Sequence, residues 1–373
     1  MLFTVGDPAP LFALPTHSTH PFQFGAAAGR LVILSFIGEG RRGALAGLHS
    51  ELGRLRSAFD DQHLCFFGVS MDAADFAPGG LIEELPGIRW FHDVDGAISR
   101  LYGAIHSEGG QPGTYRPFSL LLDQRLRVLA RIPLSSDSTA PHLARLLAVG
   151  HSLPSPLAAA PAQSQAPALL VPRVFEPGFC DQLVRYYEEK GSEDSGFMRD
   201  QGGKTVGVYD YGTKRRRDCT VEDETLRQQC MVRIHRRLVP EIKRAFQFDA
   251  TRMERYIVAC YEGQHGGHFK AHRDNTTIST SHRRFAVSLN LNGDYEGGEI
   301  WFPEYGHQLF RPAPGEAVVF SCSMLHEATP VRRGTRYVFL PFLYDDAAAA
   351  LRQETEQFLG GNINSPPEET RRG

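Results

Sequence analysis

Apolar runs and amphipathic segments alternate along the first 150 residues and predict strands and helices in turn. Residues 31–37 are a continuous apolar run of strand length, and the next segment carries Leu45, Leu48, Leu52 and Leu55 at helical spacing. The other predicted elements are a strand at 65–71 followed by a short helix rich in Glu and Leu, two strands within 117–130, and a helix at 142–149. This alternation predicts an α/β sandwich.

A change of composition marks the end of this first domain. Residues 152–168 are rich in Pro, Ala and Ser and have no apolar periodicity, which indicates a semi-extended linker. The length of 373 residues suits two domains. We therefore predict a first domain at 1–151, a linker at 152–168, a second domain at 169–345, and a C-terminal helix with a polar tail at 346–373.

The second domain begins with helices and continues as short strands. Helical periodicity covers 177–190 and 222–248, with an interruption at Pro240. Apolar or alternating segments follow at 256–261, 284–291, 317–322 and 335–343, with glycine-containing turns between them. Short strands separated by turns predict an antiparallel barrel or double-sheet jelly roll, so we expect an α+β domain.

Residues 191–218 are polar and glycine-rich, and we predict a long loop there. The segment ends in Lys214, Arg215, Arg216, Arg217 and Asp218. Such a run is either a solvated surface or part of a lid whose arginines contact a carboxylate-bearing substrate. The second alternative makes Arg215, Arg216 and Arg217 candidate substrate-binding residues.

Composition narrows the classes of partner. The chain is 42% hydrophobic and 22% charged with a formal net charge of −3, which is typical of a soluble globular protein and argues against nucleic acid as a partner. The first residues resemble no leader peptide, and no run has membrane-spanning length, so we predict a cytoplasmic protein without a membrane partner. Its six cysteines form no CxxC pair, which favours reduced structural thiols.

The candidate catalytic residues are His272 and Asp274, followed later in the chain by His326 and Arg336. Side chains two positions apart on an extended segment point to the same side, so His272 and Asp274 can converge on one ion while Arg273 faces away. Two histidines and a carboxylate are the ligand set of a facial iron(II) site, and they also suit zinc with an open position. Arg336 provides a cation for an anionic co-substrate. Four further histidines fit no part of this pattern, and we predict surface or outer-sphere roles for them: His265, His268, His282 and His307.

Four ordered motifs resemble the prolyl-4-hydroxylase-type Fe(II)/2-oxoglutarate dioxygenases over roughly residues 169–345. They are the segments 261–263, 269–274, 295–303 and 326–336. The resemblance implies a double-stranded β-helix core, with Fe(II), 2-oxoglutarate and O2 as cofactor and co-substrates and ascorbate as a candidate reductant. It implies His272, Asp274 and His326 as iron ligands and Arg336 as the partner of the distal 2-oxoglutarate carboxylate. Tyr261 matches the family tyrosine that contacts 2-oxoglutarate, although two extra residues lie between it and His272. Ser288 and Asn290 share one face of their strand and are candidates for the pocket lining.

The first domain resembles the peroxiredoxin branch of the thioredoxin fold. The similar segments are 5–10, 31–37, 91–93 with 101–103, and 116–118, which places Pro117 where that fold keeps a cis-proline. Peroxiredoxins carry a low-pKa cysteine at the start of the helix after the first core strand, but residues 38–45 contain none. Cys65 lies in an apolar strand, where a buried inert thiol is expected. We therefore predict a redox-inactive domain that dimerises, docks a partner or presents a substrate.

These observations favour an iron- and 2-oxoglutarate-dependent dioxygenase that hydroxylates an unactivated C–H bond and releases succinate and CO2. The leading substrate hypothesis is an amino-acid-derived, carrier-presented or other small carboxylate, and the runner-up is a peptidyl-proline or another protein side chain. A zinc hydrolase is a second enzyme hypothesis, which O2-dependent succinate formation would exclude. A non-enzymatic scaffold working through the first domain is the third, and full biological activity of Asp274→Ala would favour it.

Overall fold

The computed structural model describes residues 3–18, 21–38, 44–106, 113–134, 142–151 and 165–367. The chain divides into two compact units, Met1–Ala159 and Ala160–Gly373. Most of the predicted linker, residues 152–164, lies outside the described residues. Within the described ranges, no helix combines the length and apolar character needed to cross a membrane.

The N-terminal unit is built on a mixed five-stranded sheet. The strands are β1 Ala13–Leu14, β2 Phe22–Gln23, β3 Leu31–Gly38, β4 Leu64–Ser70, β5 Ile88–His92, β6 Ile105–His106, β7 Thr114–Tyr115, β8 Phe118–Leu122 and β9 Val128–Pro133. The helices are α1 Ala44–Arg54, α2 Ala97–Leu101 and α3 His142–His151. The order of the strands in the sheet is β5-β4-β3-β8-β9. Strands β3, β4 and β5 pair in parallel, whereas β8 pairs antiparallel with both β3 and β9. Apolar clusters cover both faces of the sheet, which explains the continuous apolar runs and confirms the α/β class.

Two details of the N-terminal unit differ from the sequence prediction. The short helix rich in Glu and Leu that was expected after β4 does not form at residues 81–85, because the proline at 86 disfavours helical geometry at Leu85; a 3-10 helix at Ala73–Phe76 follows β4 instead. The cis peptide bond among the described residues is Leu85–Pro86, so the prediction of a cis bond before Pro117 is wrong. Pro117 instead leads into β8, and its carbonyl accepts a hydrogen bond from the Leu134 amide.

The C-terminal unit places helices beside three sheets. The helices are α4 Pro177–Lys190, α5 Glu224–Arg237, α6 Val239–Phe246 and α7 Asp346–Thr355. The strands are β10 Leu169–Val171, β11 Glu193–Asp194, β12 Phe197–Gln201, β13 Lys204–Val208, β14 Lys214–Arg215, β15 Arg217–Thr220, β16 Arg252–Glu254, β17 Ile257–Glu262, β18 His268–His272, β19 Phe285–Asn290, β20 Tyr295–Gly297, β21 Ile300–Trp301, β22 Leu309–Phe310, β23 Ala317–Ser321, β24 His326–Ala328, β25 Val331–Phe339, β26 Phe342–Tyr344 and β27 Leu359–Asn362.

Two of these sheets supply the residues of the candidate site. The larger follows the order β10-β23-β19-β25-β17-β15-β11, with β16, β20 and β26 attached. The smaller follows β14-β18-β24-β21-β22. One apolar cluster fills the space between the large sheet and helices α4 to α6, and a second involves residues of both sheets. Amphipathic strands thus bury one face against the helices and turn the other towards the second sheet.

The prediction of a long loop at 191–218 is wrong, because the segment contains strands β11 to β15. Gly202 and Gly203 have φ of +59° and +75° and form the two-residue turn of the β12–β13 hairpin. Glycine is favoured there because both turn positions need the left-handed conformation. Strand β12 of the hairpin is largely exposed, whereas the centre of β13 is buried, and β14 and β15 pair with β18 and β17 beside the candidate site.

Candidate metal centre

His272, Asp274 and His326 converge at one end of the smaller sheet. His272 ends β18 and His326 begins β24, and the two residues are direct partners in the antiparallel register. Asp274 follows in the turn, where its amide donates to the Cys322 carbonyl. Its carboxylate oxygens lie 3.5 Å from His272 Nε2 and 3.3 Å from His326 Nε2. All three ligand atoms lie within 4.8 Å of one another, a spacing at which they can share one metal ion.

Backbone hydrogen bonds orient the two imidazoles for this role. His272 Nδ1 is 2.8 Å from the Lys270 carbonyl oxygen, and His326 Nδ1 is 3.1 Å from the Met324 carbonyl oxygen. A carbonyl can only accept, so each Nδ1 carries the proton and each Nε2 presents its lone pair towards Asp274. Two such nitrogens and one carboxylate fit a divalent iron and leave coordination positions for small ligands.

The electrostatics of the three groups fit a cation. Burial raises the pKa of Asp274, but the neighbouring His326 and His272 outweigh it and hold that pKa below its usual range. Burial lowers the pKa of His326 to about 4, so its imidazole is neutral near pH 7. Arg273 points away and pairs with Glu304, its Nη2 lying 2.6 Å from Glu304 Oε1, as the alternation of the strand predicted.

Arg336 lines a small cavity beside these residues, the inner cavity. It is on β25, directly opposite Tyr261 on β17, and only 1% of it is exposed. Its Nη2 donates to Ser288 Oγ at 2.8 Å and Asn290 Oδ1 at 2.9 Å. Within the described ranges, Nη1 has no hydrogen-bond partner and remains for a ligand. The cavity has a volume of about 70 Å³, and its lining includes all three ligand residues as well as Tyr261, Ser288 and Arg336.

Asn290 supports this cavity from behind. Its amide nitrogen donates to Tyr295 Oη at 2.6 Å and to the Pro312 carbonyl at 2.7 Å, which leaves its oxygen for Arg336. Asn290 therefore positions the guanidinium, whereas the sequence only suggested a place in the pocket lining. Glycines at 297 and 298 make room nearby, because a Cβ at Gly298 would lie 3.0 Å from Arg336 Cδ.

A larger cavity of about 550 Å³, the outer cavity, shares His272 and Asp274 in its lining with the inner one. Glu254 is buried on its wall, with Arg283 Nε at 2.7 Å and His282 Nε2 at 3.0 Å. The sequence did not indicate these residues as part of the site, and only strand pairing brings them there. His282 was expected at the surface or outside the ligand shell, and it is 2% exposed.

The basic run divides between two sides of its strands. Lys214 and Arg216 are 5% and 6% exposed and line the inner cavity, and Lys214 also lines the outer one. Arg215 instead stacks on the Tyr211 ring, and Arg217 donates to Ser192. Period-two alternation over residues 214–218 is a signal in the sequence that could have separated the two sets.

Comparison with known proteins identifies a family whose model matches part of the C-terminal unit. Residues 256–344 match the 2OG-Fe(II) oxygenase superfamily. The match confirms the resemblance inferred from the motifs, and that family implies Fe(II), 2-oxoglutarate and O2. All three candidate ligands and Arg336 lie inside the matched segment.

Relatives and structures with similarity to the chain cover it in part. A PKHD-type hydroxylase from Pseudomonas paraeruginosa is 38% identical over 123 residues, which are 29% of this chain and 53% of that protein. This chain thus spans about half the length of that relative. A prolyl-4-hydroxylase from Pseudomonas putida aligns with a TM-score of 0.37 and 15% identity over 48% of this chain and 92% of that one. A thiol peroxidase from Chromobacterium violaceum aligns with a TM-score of 0.33 and 19% identity over 41% of this chain and 90% of that one.

The single cysteine of the N-terminal unit, Cys65, does not resemble a peroxide-reducing centre. Residues 38–45 have no cysteine, and residues 39–43 of that segment lie outside the described residues. Cys65 is fully buried in β4, and burial raises the pKa of its thiol to about 12. A protonated, inaccessible thiol is a poor nucleophile.

Proposed function

We propose that the protein is an Fe(II)/2-oxoglutarate-dependent dioxygenase that hydroxylates an unactivated C–H bond. The proposal rests on the convergence of His272, Asp274 and His326 beside the inner cavity, which Arg336 also lines. When bound, iron and 2-oxoglutarate supply the O2-dependent oxidising chemistry, with release of succinate and CO2. The larger sheet and the sheet β14-β18-β24-β21-β22 would then form the double-stranded β-helix of this family.

The residues of the site divide the work. His272, Asp274 and His326 would hold the metal, and their fixed Nδ1 hydrogen bonds keep both Nε2 atoms directed at it. Arg336 would pair with the distal carboxylate of 2-oxoglutarate, with Ser288 and Asn290 holding its guanidinium in place. The outer cavity, which His272 and Asp274 also line, would receive the substrate.

The substrate we favour is an amino-acid-derived, carrier-presented or other small carboxylate. The volume of the outer cavity is in the range of small-molecule sites, and cationic groups line it. A peptidyl-proline or another protein side chain is the runner-up. The N-terminal unit would be redox-inactive and would dock a partner, present the substrate or dimerise.

Reconstitution under controlled oxygen tests the function. The full chain is loaded anaerobically with Fe(II) and 2-oxoglutarate, exposed to O2, and assayed for succinate. We expect succinate only when all three are present, and a visible charge-transfer band before O2 is added. Asp274→Ala should lose both signals, whereas Asp294→Ala, an exposed aspartate outside the cavities, should keep them. Wild-type protein that binds zinc and forms no succinate would instead support the hydrolase hypothesis.

The substrate class is tested by mass. Candidate amino acids, carrier-linked acids and proline-containing peptides are incubated with the loaded enzyme, and products are examined for the gain of one oxygen atom. A gain on peptides alone would favour the runner-up. A gain on small acids would support the leading hypothesis.

A further inference from the structure

Three cations and one carboxylate cluster beside the two cavities; Lys214 and Arg216 are buried, whereas the side chains of Asp218 and Arg255 are 14% and 28% exposed. Arg216 Nη2 and Arg255 Nη2 lie 2.7 Å and 3.3 Å from the same oxygen of Asp218. Lys214 Nζ donates to Ser195 Oγ at 2.8 Å and to the Gly196 carbonyl at 2.6 Å, both of which are neutral. No carboxylate of the described chain lies within ion-pair distance of Lys214. The cluster therefore carries two positive charges beyond what Asp218 neutralises when all its groups are ionised.

The charges at the metal centre, in contrast to those of the cluster, balance once 2-oxoglutarate is bound. A divalent metal, Asp274 and Arg336 together leave two positive charges, which the two carboxylates of bound 2-oxoglutarate neutralise. The co-substrate thus supplies no further anion for the lysine and two arginines. Across the outer cavity, Glu254 already has Arg283 as its partner at 2.7 Å. Buried charge without a counter-ion is destabilising, so we expect a second anion to bind beside the cluster.

The position of Lys214 directs that anion to the substrate side. Lys214 is the register partner of Phe269, and its Nζ lies 4.9 Å from the centre of the Phe269 ring. The same ring stacks on His272 with 3.5 Å between centres. Lys214 and Arg255 line both cavities, whereas Arg336 lines only the inner one. A group bound at Lys214 would therefore lie beside the metal ligands but apart from the Arg336 end.

The backbone also places Arg255 in the cluster at a cost. Arg255 has φ of +63°, a left-handed conformation that is strained for a residue with a Cβ. This residue connects β16 to β17, and the turn directs its side chain to Asp218 and both cavities. Burial, together with Arg216 nearby, lowers the pKa of Arg255 to about 10 and also lowers the pKa of Lys214 well below its usual value, so an anion bound beside them would favour their charged forms.

We infer that Lys214 and Arg255 bind a carboxylate of the substrate at the outer cavity. Asp218 pairs with Arg255, and Ser195 and the Gly196 carbonyl hold Lys214 in position. The inference rests on the proposed function and adds the group by which the substrate is recognised. The carboxylate could belong to a free amino-acid-sized molecule or to an acidic side chain of a peptide, and both present the same chemistry to the lysine.

The test uses matched acids and amides. The full chain, loaded anaerobically with Fe(II) and 2-oxoglutarate, is dialysed against N-acetylated amino acids and their amides in one arm. Capped peptides with Glu or Gln are used in the other. Retained probe is measured by mass spectrometry, and the charge-transfer band reports the 2-oxoglutarate complex independently. A missing band would reject the proposed function, whereas a band without carboxylate preference would reject only this inference.

We expect the acid of at least one pair to bind tenfold or more tightly than its amide. Lys214→Met should bring the ratio of acid to amide binding to about one. Arg255→Met, which alters the connection between β16 and β17, should also lower this ratio. Lys214→Arg should retain part of the preference, and Lys204→Met, at an exposed position outside both cavities, should leave it unchanged. Equal binding of acids and amides in both arms would overturn the inference. A preference that survives both methionine variants, or a Lys214→Met that weakens 2-oxoglutarate instead, would also overturn it.

Discussion

Replacement of Arg336 by Met tests the division of the site into a co-substrate pocket and a substrate cavity. The side chain is 1% exposed, and the substitution removes its charge while retaining much of its volume. Ser288 and Asn290 would lose their hydrogen-bond donor, and the distal carboxylate of 2-oxoglutarate would lose its only proposed cation.

The expected size of the effect follows from burial. Truncating one partner of a buried, hydrogen-bonded charge pair costs about 2–5 kcal/mol. At about 1.4 kcal/mol for each tenfold change, the Kd for 2-oxoglutarate should rise by roughly 30-fold to several thousandfold. Arg336→Lys should fall between the wild type and Arg336→Met, because an ammonium keeps the charge but loses the planar fork.

A comparison of two oxo acids isolates the charge pair. Kd is measured anaerobically from the charge-transfer band for 2-oxoglutarate and for 2-oxopentanoate, which has the same chain length and no distal carboxylate. The wild type should strongly prefer 2-oxoglutarate, and Arg336→Met should bind both acids about equally. Arg333→Met is the matched control on the same strand, since that side chain is 77% exposed and pairs with Glu296. If Arg336→Met keeps its fold and its preference for 2-oxoglutarate, the assignment of Arg336 is wrong.

Three other predictions concern stability and the N-terminal unit. Burial raises the pKa of Glu254, but His282 and Arg283 outweigh it and hold the pKa at about 2, below the usual 4.5. Because the folded pKa is the lower one, this contribution of roughly 3 kcal/mol is present above about pH 4.5 and falls as the pH drops towards 2. Glu254→Gln should therefore lower the unfolding free energy at pH 7 by that order and by about half as much at pH 3, and a difference independent of pH would contradict this. Gly297→Ala should cost roughly 2–4 kcal/mol in chemical denaturation, since φ is +81° and the added Cβ would lie 2.2 Å from the Pro330 carbonyl oxygen, whereas Gly361→Ala meets nothing within 4 Å and should be nearly neutral. The full chain should show no peroxide consumption above that of Cys65→Ser, and turnover that disappears in this variant would show that the N-terminal unit is redox-active.

Most strands were predictable where one face or both faces are buried. The apolar run at 31–37 became β3 because helices and other apolar residues cover both sides of its sheet. The polar segment 191–218 was mistaken for a loop because it is rich in polar residues and glycine, and because β12 of its hairpin is largely exposed and shows little apolar alternation. The pair Gly202 and Gly203 was the available signal for a two-residue turn. Local patterns therefore identified the core strands more readily than the strands at the edge of the site.

The amino-acid sequence by itself determined the chemical types at the metal centre and the co-substrate pocket. Side chains two apart on a strand point to the same side, so the spacing of His272 and Asp274 contains most of their local geometry. The tertiary structure alone decided that His326 would lie opposite His272 and that Arg336 would face Tyr261, because strand register sets both pairs. It also decided which of the basic residues are buried. A cation in a sequence has no counter-ion until folding removes water and fixes its neighbours, so only the folded chain shows that Lys214 lacks a carboxylate partner.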